Sequence, residues 1–199
     1  LRYAAKVPVD PNDVYNNTGY FDIIQVARID TDEYRKKRFG KERIQLIINQ
    51  IGNIRGKKLL DIGSGSGYLL ECAIEAGAEC TGIETGEQRR EWLQKRLAIP
   101  IMNSNIEDMP AKMQFDIITM FDLIEHVLDP VKLMKSVCEH LTSSGIVVIF
   151  TPNFDSLGIK YMREKSNLIL PTGHLTYFTN KSMNCLLEKV DLKLAYFET

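Results

Sequence analysis

Short apolar runs alternate with helical patterns from residue 31 onward, and that alternation limits the fold more than any other feature. "KKLLDIG" (57–63), "ECTGIE" (79–84), "FDIITMF" (115–121) and "GIVVIFT" (145–151) read as buried strands, and "IPIMNS" (99–104) as a further one. Between them, "YLLECAIEAG" (68–77, closed by Gly77), "GEQRREWLQKRL" (86–97) and "DPVKLMKSVCEHL" (129–141, with Pro130 in its first turn) predict helices. Strands joined through helices make right-handed βαβ units, and a parallel sheet built from them is covered on both faces. The expected fold is therefore α/β, a Rossmann-like, doubly wound and mostly parallel sheet.

The flanks are less regular. Residues 1–30 are rich in Pro, Asn and Asp, with aromatics at Tyr15, Tyr20 and Phe21, and are expected to be irregular. A leading helix is predicted over 31–51, with Thr31 as its cap and Ile44, Ile47, Ile48 and Ile51 as an apolar stripe. Residues 152–178 form a long irregular stretch around Pro152, Gly158, Pro171 and Gly173, expected to act as a substrate lid. "NKSMNCLLEKV" (180–190) is a last helix capped by Thr179, and "LKLAYFE" (192–198) a last strand. At 199 residues the whole is expected to be one domain.

Charge and cysteine usage narrow the partners. A net charge of −1 gives no global attraction to nucleic acid or anionic membrane. One local basic run, Arg35, Lys36, Lys37, Arg38, Lys41 and Arg43, is read as a solvated helix face. No apolar run is long enough to span a bilayer. Cys72, Cys80, Cys138 and Cys185 show no CxxC spacing, so reduced thiols and a cytoplasmic location are expected.

Open α/β sheets bind ligands beyond the carboxyl ends of their strands, here the segments starting near Asp61, Glu84, Asn105, Phe121 and Thr151. "LLDIGSGSGYLL" sets Gly63, Gly65 and Gly67 on alternate positions after the first strand, where a ligand can approach the main chain without meeting a Cβ. Glu84 ends the second strand, where a carboxylate can accept from both ribose hydroxyls. The loop lacks the last glycine of GxGxxG, since Tyr68 stands there counted from Gly63, and no GKS or GKT follows it. Asp61 would repel a pyrophosphate and suits a cationic ligand. Glycine loop and acid together indicate a nucleoside-containing cofactor.

"FDLIEHVLDP" (121–130) holds a second group: Asp122, Glu125 and His126 at i, i+3 and i+4. The spacing alone leaves open a metal site, a proton-transfer pair or the polar opening of a helix. His174, in "PTGHLTYFTNKSM", is a further base candidate, whereas His140 at a helix C-terminus reads as structural.

"LDIGSGSGYLL", "GIET", "FDIITMFDLIEHVLDP" and "GIVVIFTPN" resemble, in order, the motifs of class I S-adenosylmethionine-dependent methyltransferases, over about residues 31 to 197. The chain is most similar to the group holding ubiquinone-biosynthesis O-methyltransferases and small-molecule methyltransferases. The resemblance implies S-adenosyl-L-methionine as cofactor, S-adenosyl-L-homocysteine (SAH) as product, and methyl transfer to oxygen, less readily nitrogen, of a small molecule, sugar or quinone precursor. It implies that Asp61, Gly63, Ser64, Gly65 and Gly67 hold the methionine part, that Glu84 binds the ribose, and that Thr85 flanks the adenosine. Asn105 and Ile106 would then sit near adenine, Phe121 and Asp122 near the methionyl end, and His126 and His174 would serve as catalytic bases. No metal is expected. Some relatives bind a divalent ion at this place, which makes Asp122, Glu125, His126 and His174 the alternative set; with the basic run, that set also keeps a metal-assisted RNA 2′-O-methyltransferase as a rival reading. A cofactor-binding regulatory domain is a third. The fold normally ends with a seventh, antiparallel strand that this sequence lacks, and the chain is expected to be a central piece of a longer protein.

Overall fold

The computed structural model describes residues 2–3, 31–162, 166, 168–169 and 173–198. The expectations for 4–30 and for Pro171 lie outside the described residues. The elements are β1 (Arg2–Tyr3), α1 (Asp32–Arg35), a π-helical segment (Lys36–Lys41), α2 (Glu42–Ile51), β2 (Lys58–Ile62), α3 (Tyr68–Glu75), β3 (Glu79–Ile83), α4 (Glu87–Leu97), β4 (Ile101–Met102), β5 (Phe115–Phe121), α5 (Pro130–Glu139), β6 (Leu141–Phe150), α6 (Leu157–Met162), β7 (Thr176–Tyr177) and α7 (Asn180–Glu188).

Five strands form one parallel sheet in the order β4-β3-β2-β5-β6. Chain order reverses between β2 and β5, and the crevice beyond their carboxyl ends is where such sheets take ligands. Side chains alternate across the sheet. Leu59 and Ile117 pack on one face with Ile44, Ile47, Leu70 and Leu93. Leu60 and Ile118 pack on the other with Met134, Val137, Phe178 and Leu186. The doubly wound, mostly parallel sheet is thus the fold that the alternation predicts.

Helix ends follow local chemistry. Asp129 accepts from the Lys132 amide at 2.9 Å with Pro130 in the first turn, and Thr179 forms a reciprocal capping box with Ser182. Thr31 makes no such cap; its hydroxyl accepts from Arg35 Nε at 3.3 Å instead.

Three expectations change. The first segment, expected irregular, contributes β1, which pairs antiparallel with β7. The 152–178 stretch carries α6 and β7 as well as irregular chain. Residues 192–198 form no strand, and Leu194, Tyr196 and Phe197 are exposed. Alternation gives a segment two faces but no ladder partner, and here the Leu192 amide turns back to the Leu187 carbonyl at 3.0 Å. Among the described residues, no helix is long and apolar enough to cross a membrane.

Candidate active site

The glycine loop leaves β2 with Gly63, Gly65 and Gly67 all at positive φ (76°, 53° and 70°), a conformation that explains their alternate spacing. At Gly67 space adds a second reason: a Cβ there would lie 2.4 Å from Leu93 Cδ2. The Gly63 and Ser64 amides donate to the Ile83 carbonyl at 2.9 and 3.0 Å, and the Gly67 amide to the Ser64 carbonyl at 2.8 Å. The Ser64 hydroxyl donates to the Asp61 carbonyl at 2.9 Å.

Glu84, buried at the end of β3, faces this loop. Its Oε2 accepts from the Gly65 amide at 2.9 Å and its Oε1 from the Gly86 amide at 2.8 Å, with Arg89 at 3.8 Å. Asp61 is buried as well and accepts from the Thr119 hydroxyl at 2.7 Å. Burial pushes the Asp61 carboxyl up to about 7, against the opposing pull of that hydrogen bond and of the Arg43 charge. Thr85 is exposed just after Glu84. Asn105 is exposed at the head of a 3-10 turn, donating to Asp108 at 3.4 Å, but the Ile106 side chain is buried in the core. Only the Ile106 backbone is left to meet a nucleoside.

Arg43 is the residue that sequence reasoning missed. Its guanidinium lies 4.4 Å from the Phe121 ring centre, 4.8 Å from Phe150 and 5.0 Å from Phe39, and Nη2 donates to Asp122 Oδ2 at 2.9 Å. The Phe121 and Phe150 rings, at the ends of neighbouring strands, are 26° from parallel at 6.2 Å. Asp122 itself sits at φ 53°, held by its amide donating to the Phe150 carbonyl at 2.8 Å. The solvated helix face read from the basic run therefore loses two members, because Lys36 also turns inward to Glu71 and Glu75. An Arg four residues after Phe39, on one helix face with it, was the available signal.

Beyond Asp122, a 3-10 turn (Ile124–His126) carries the second group. Glu125 is 2% exposed; its Oε2 accepts from the Thr151 hydroxyl at 2.9 Å, and its buried Oε1 has no partner among the described residues. His126 and His174 meet edge to face, ring centres 4.7 Å apart. His126 Nδ1–H donates to the Gly173 carbonyl at 2.8 Å and His174 Nδ1–H to the Leu168 carbonyl at 2.9 Å, which leaves Nε2 of each neutral ring unprotonated. The Leu175 amide donates to the Glu125 carbonyl at 2.8 Å and fixes the 173–178 chain against this turn. Desolvation raises Glu125 to about 7 and lowers both histidines below their usual value. One ligand-type atom from each of Glu125, His126 and His174 lies within 4.8 Å of the others. Asp122, the fourth member of the sequence-derived set, is bonded to Arg43 instead. His140, as expected, is structural: its Nδ1–H donates to the Met113 carbonyl at 2.8 Å.

A parallel sheet in this order, a glycine loop answered by an acid at the end of β3, and a polar group beyond β5 define the Rossmann-like class I methyltransferase architecture. Residues 34–196 match the family described as a methyltransferase domain, and the chain belongs to that family. It is similar to the ubiquinone biosynthesis O-methyltransferase of Escherichia fergusonii, 29% identical over 157 residues that cover 74% of this chain; the chain spans 65% of that relative's length. Two solved structures share the fold. Magnesium protoporphyrin IX methyltransferase from Synechocystis PCC 6803, with bound SAH, superimposes with a TM-score of 0.65 at 16% identity, covering 90% of this chain and 86% of that one. The plantazolicin methyltransferase BpumL, in complex with a pentazolic desmethylPZN analog and SAH, gives 0.68 at 20% identity, covering 90% and 72%.

Proposed function

We propose that this domain binds S-adenosyl-L-methionine in the crevice beyond β2 and β3 and transfers its methyl group to a hydroxyl oxygen of a small molecule. Family membership and the neighbours solved with SAH support the cofactor. The observation that carries the choice of oxygen is the Glu125–His126–His174 group, with Glu125 and His174 buried, because a hydroxyl is a weak nucleophile until a base takes its proton, whereas a neutral amine attacks without one.

The sulfonium supplies the electrophile, so the protein's work is alignment, exclusion of water and removal of one proton. Glu84 accepts from the ribose hydroxyls while keeping its bonds to the Gly65 and Gly86 amides, each carboxylate oxygen having a second acceptor direction. Asp61 faces the amino end of the methionine part, and Phe121 with Asp122 closes its far side. Bound there, the donor would supply the methyl group and leave as the neutral thioether, and the hydroxyl proton of the acceptor would pass to Nε2 of His126 or His174. Both rings are neutral at pH 7 because burial holds their pKa down. The resulting imidazolium favours ionisation of the neighbouring Glu125, whose carboxyl sits near 7, and the carboxylate so formed stabilises it in turn.

A second reading is favoured by Glu125 Oε1, which has no partner among the described residues: with two imidazole nitrogens it forms a donor set suited to a divalent ion such as Zn²⁺ or Mn²⁺. A metal there would polarise the acceptor hydroxyl. Two of the six cations that an RNA backbone would need turn inward, which argues for a small molecule over RNA. A cytoplasmic location belongs to the same reading, supported by four free thiols. A screen of phenols, sugars and amines with labelled S-adenosylmethionine, run with and without chelator, tests the assignment. Labelled amines with no labelled hydroxyl compound would overturn transfer to oxygen, and activity abolished by chelator would favour the metal reading.

A further inference from the structure

The outer side of the glycine loop is held by charges that methyl transfer itself does not use. Arg96, in the last turn of α4, donates from Nη1 to the Ser66 carbonyl at 3.3 Å and from Nη2 to Glu71 on α3. Its guanidinium packs over the rings of Tyr68 (5.3 Å) and Trp92 (4.8 Å), so its plane is fixed as well as its charge. The other Glu71 oxygen accepts from Lys36 Nζ at 2.7 Å, and Lys36 also reaches Glu75 at 2.7 Å. Lys36 opens the π-helical segment, whose Gly40 packs so closely on α3 that a Cβ would lie 2.5 Å from the Tyr68 carbonyl. Tyr68 donates to Asp32 Oδ1 at 2.6 Å. Lys36, Glu71 and Arg96 are all partly buried, with side chains 16%, 24% and 22% exposed, where charge-assisted bonds are worth more than on an open surface.

A loop with three glycines in five positions has many conformations to lose when a ligand orders it. Fixing the Ser66 carbonyl removes that cost before the ligand arrives, because it sets the plane of the peptide whose N–H belongs to Gly67. We propose that Arg96 and Glu71 are positioning residues for the cofactor loop, and that Lys36 makes their hold depend on the docked leading helix. The proposal rests on the reading of 63–67 as a cofactor loop.

The test uses the full chain with R96A, R96K, E71Q, K36A and the double variant K36A/R96A. Amide hydrogen exchange across 63–68 in the ligand-free protein is measured beside calorimetric titration with S-adenosylmethionine. R96A should speed loop exchange and weaken binding by about tenfold, within the usual range for coupled sites, while core strand exchange stays slow. R96K should fall between R96A and wild type, and K36A/R96A should bind no more weakly than R96A. Wild-type loop exchange in R96A overturns the proposal, as does an R96K no better than R96A, which would assign the effect to packing. Additive losses in the double variant overturn the role of Lys36. If wild type binds no cofactor, the functional reading fails, and loop exchange alone decides the positioning role. If R96A fails to fold, E71Q carries the same expectations.

Discussion

Replacing Arg43 by alanine should undo the joint between the leading helix and the carboxyl ends of β5 and β6. The guanidinium contacts three aromatic rings at 4.4–5.0 Å, but it has only two faces, so two rings count fully. At about 1 kcal/mol each for a largely desolvated cation–π contact, these contribute ~2 kcal/mol. The pair with Asp122 adds only about 0.5 kcal/mol, because that carboxylate is 48% exposed and screened. R43A should therefore lose about 2.5 kcal/mol, read as a fall of roughly 5–10 °C in the thermal midpoint of a domain this size. R43K keeps the charge and surrenders the planar stacking, and should lose about half as much. Urea denaturation of the three proteins, at matched slopes, measures both differences. A loss under about 0.5 kcal/mol for R43A, or equal losses for R43A and R43K, would refute the stacked-clamp account.

Loop geometry, proton transfer and the charge state of Glu125 can each be measured. Gly67→Ala combines strain at φ 70° with a 2.4 Å approach to Leu93, and should destabilise by about 2–5 kcal/mol; a loss near zero in the same urea assay would contradict the loop geometry. Once an acceptor is known, His174→Ala should lower kcat by roughly 10²–10⁴-fold while leaving cofactor affinity within about twofold, and an equal effect on both would remove it from proton transfer. Glu125 is raised to about 7 in the folded protein, so the native state holds a proton there that the unfolded chain has lost, and stability falls as pH rises from about 4 to about 7. Glu125→Gln abolishes that contribution, so its stability relative to wild type should improve across this window and level off above it; a parallel pH profile would show that the carboxyl is not held protonated.

Much of this site was legible because its parts are local. The carboxyl ends of β2, β3 and β5, the alternate glycines, Glu84 and the Thr179 cap are set by residues within a few positions, and the structure has them where the pattern puts them. What failed depends on distant partners. Spacing brings Phe39 near Arg43, but Phe121 and Phe150 arrive from strands about 80 and 110 residues away, which no periodicity shows. Asp122 matched the acid of a metal set by spacing, yet a partner from 79 residues away claims it. Motif position places Ile106 beside the nucleoside but does not show that its side chain packs in the core, which takes Met134, Phe178 and others from distant elements to form. The segment 192–198 shows a strand's alternation, but a strand also needs a neighbour's ladder.

The proposed function places a methyl donor built on a nucleoside in the crevice bounded by the glycine loop, Asp61 and Glu84. Calorimetric titration of the wild-type chain and of Glu84→Ala with S-adenosylmethionine and SAH tests it directly. Both ligands should bind wild type saturably, and Glu84→Ala should lose about 2 kcal/mol or more, roughly thirtyfold, since a charge-assisted acceptor for two hydroxyls is removed. Absence of binding to wild type at millimolar concentration, or equal affinities for the two proteins, would contradict it.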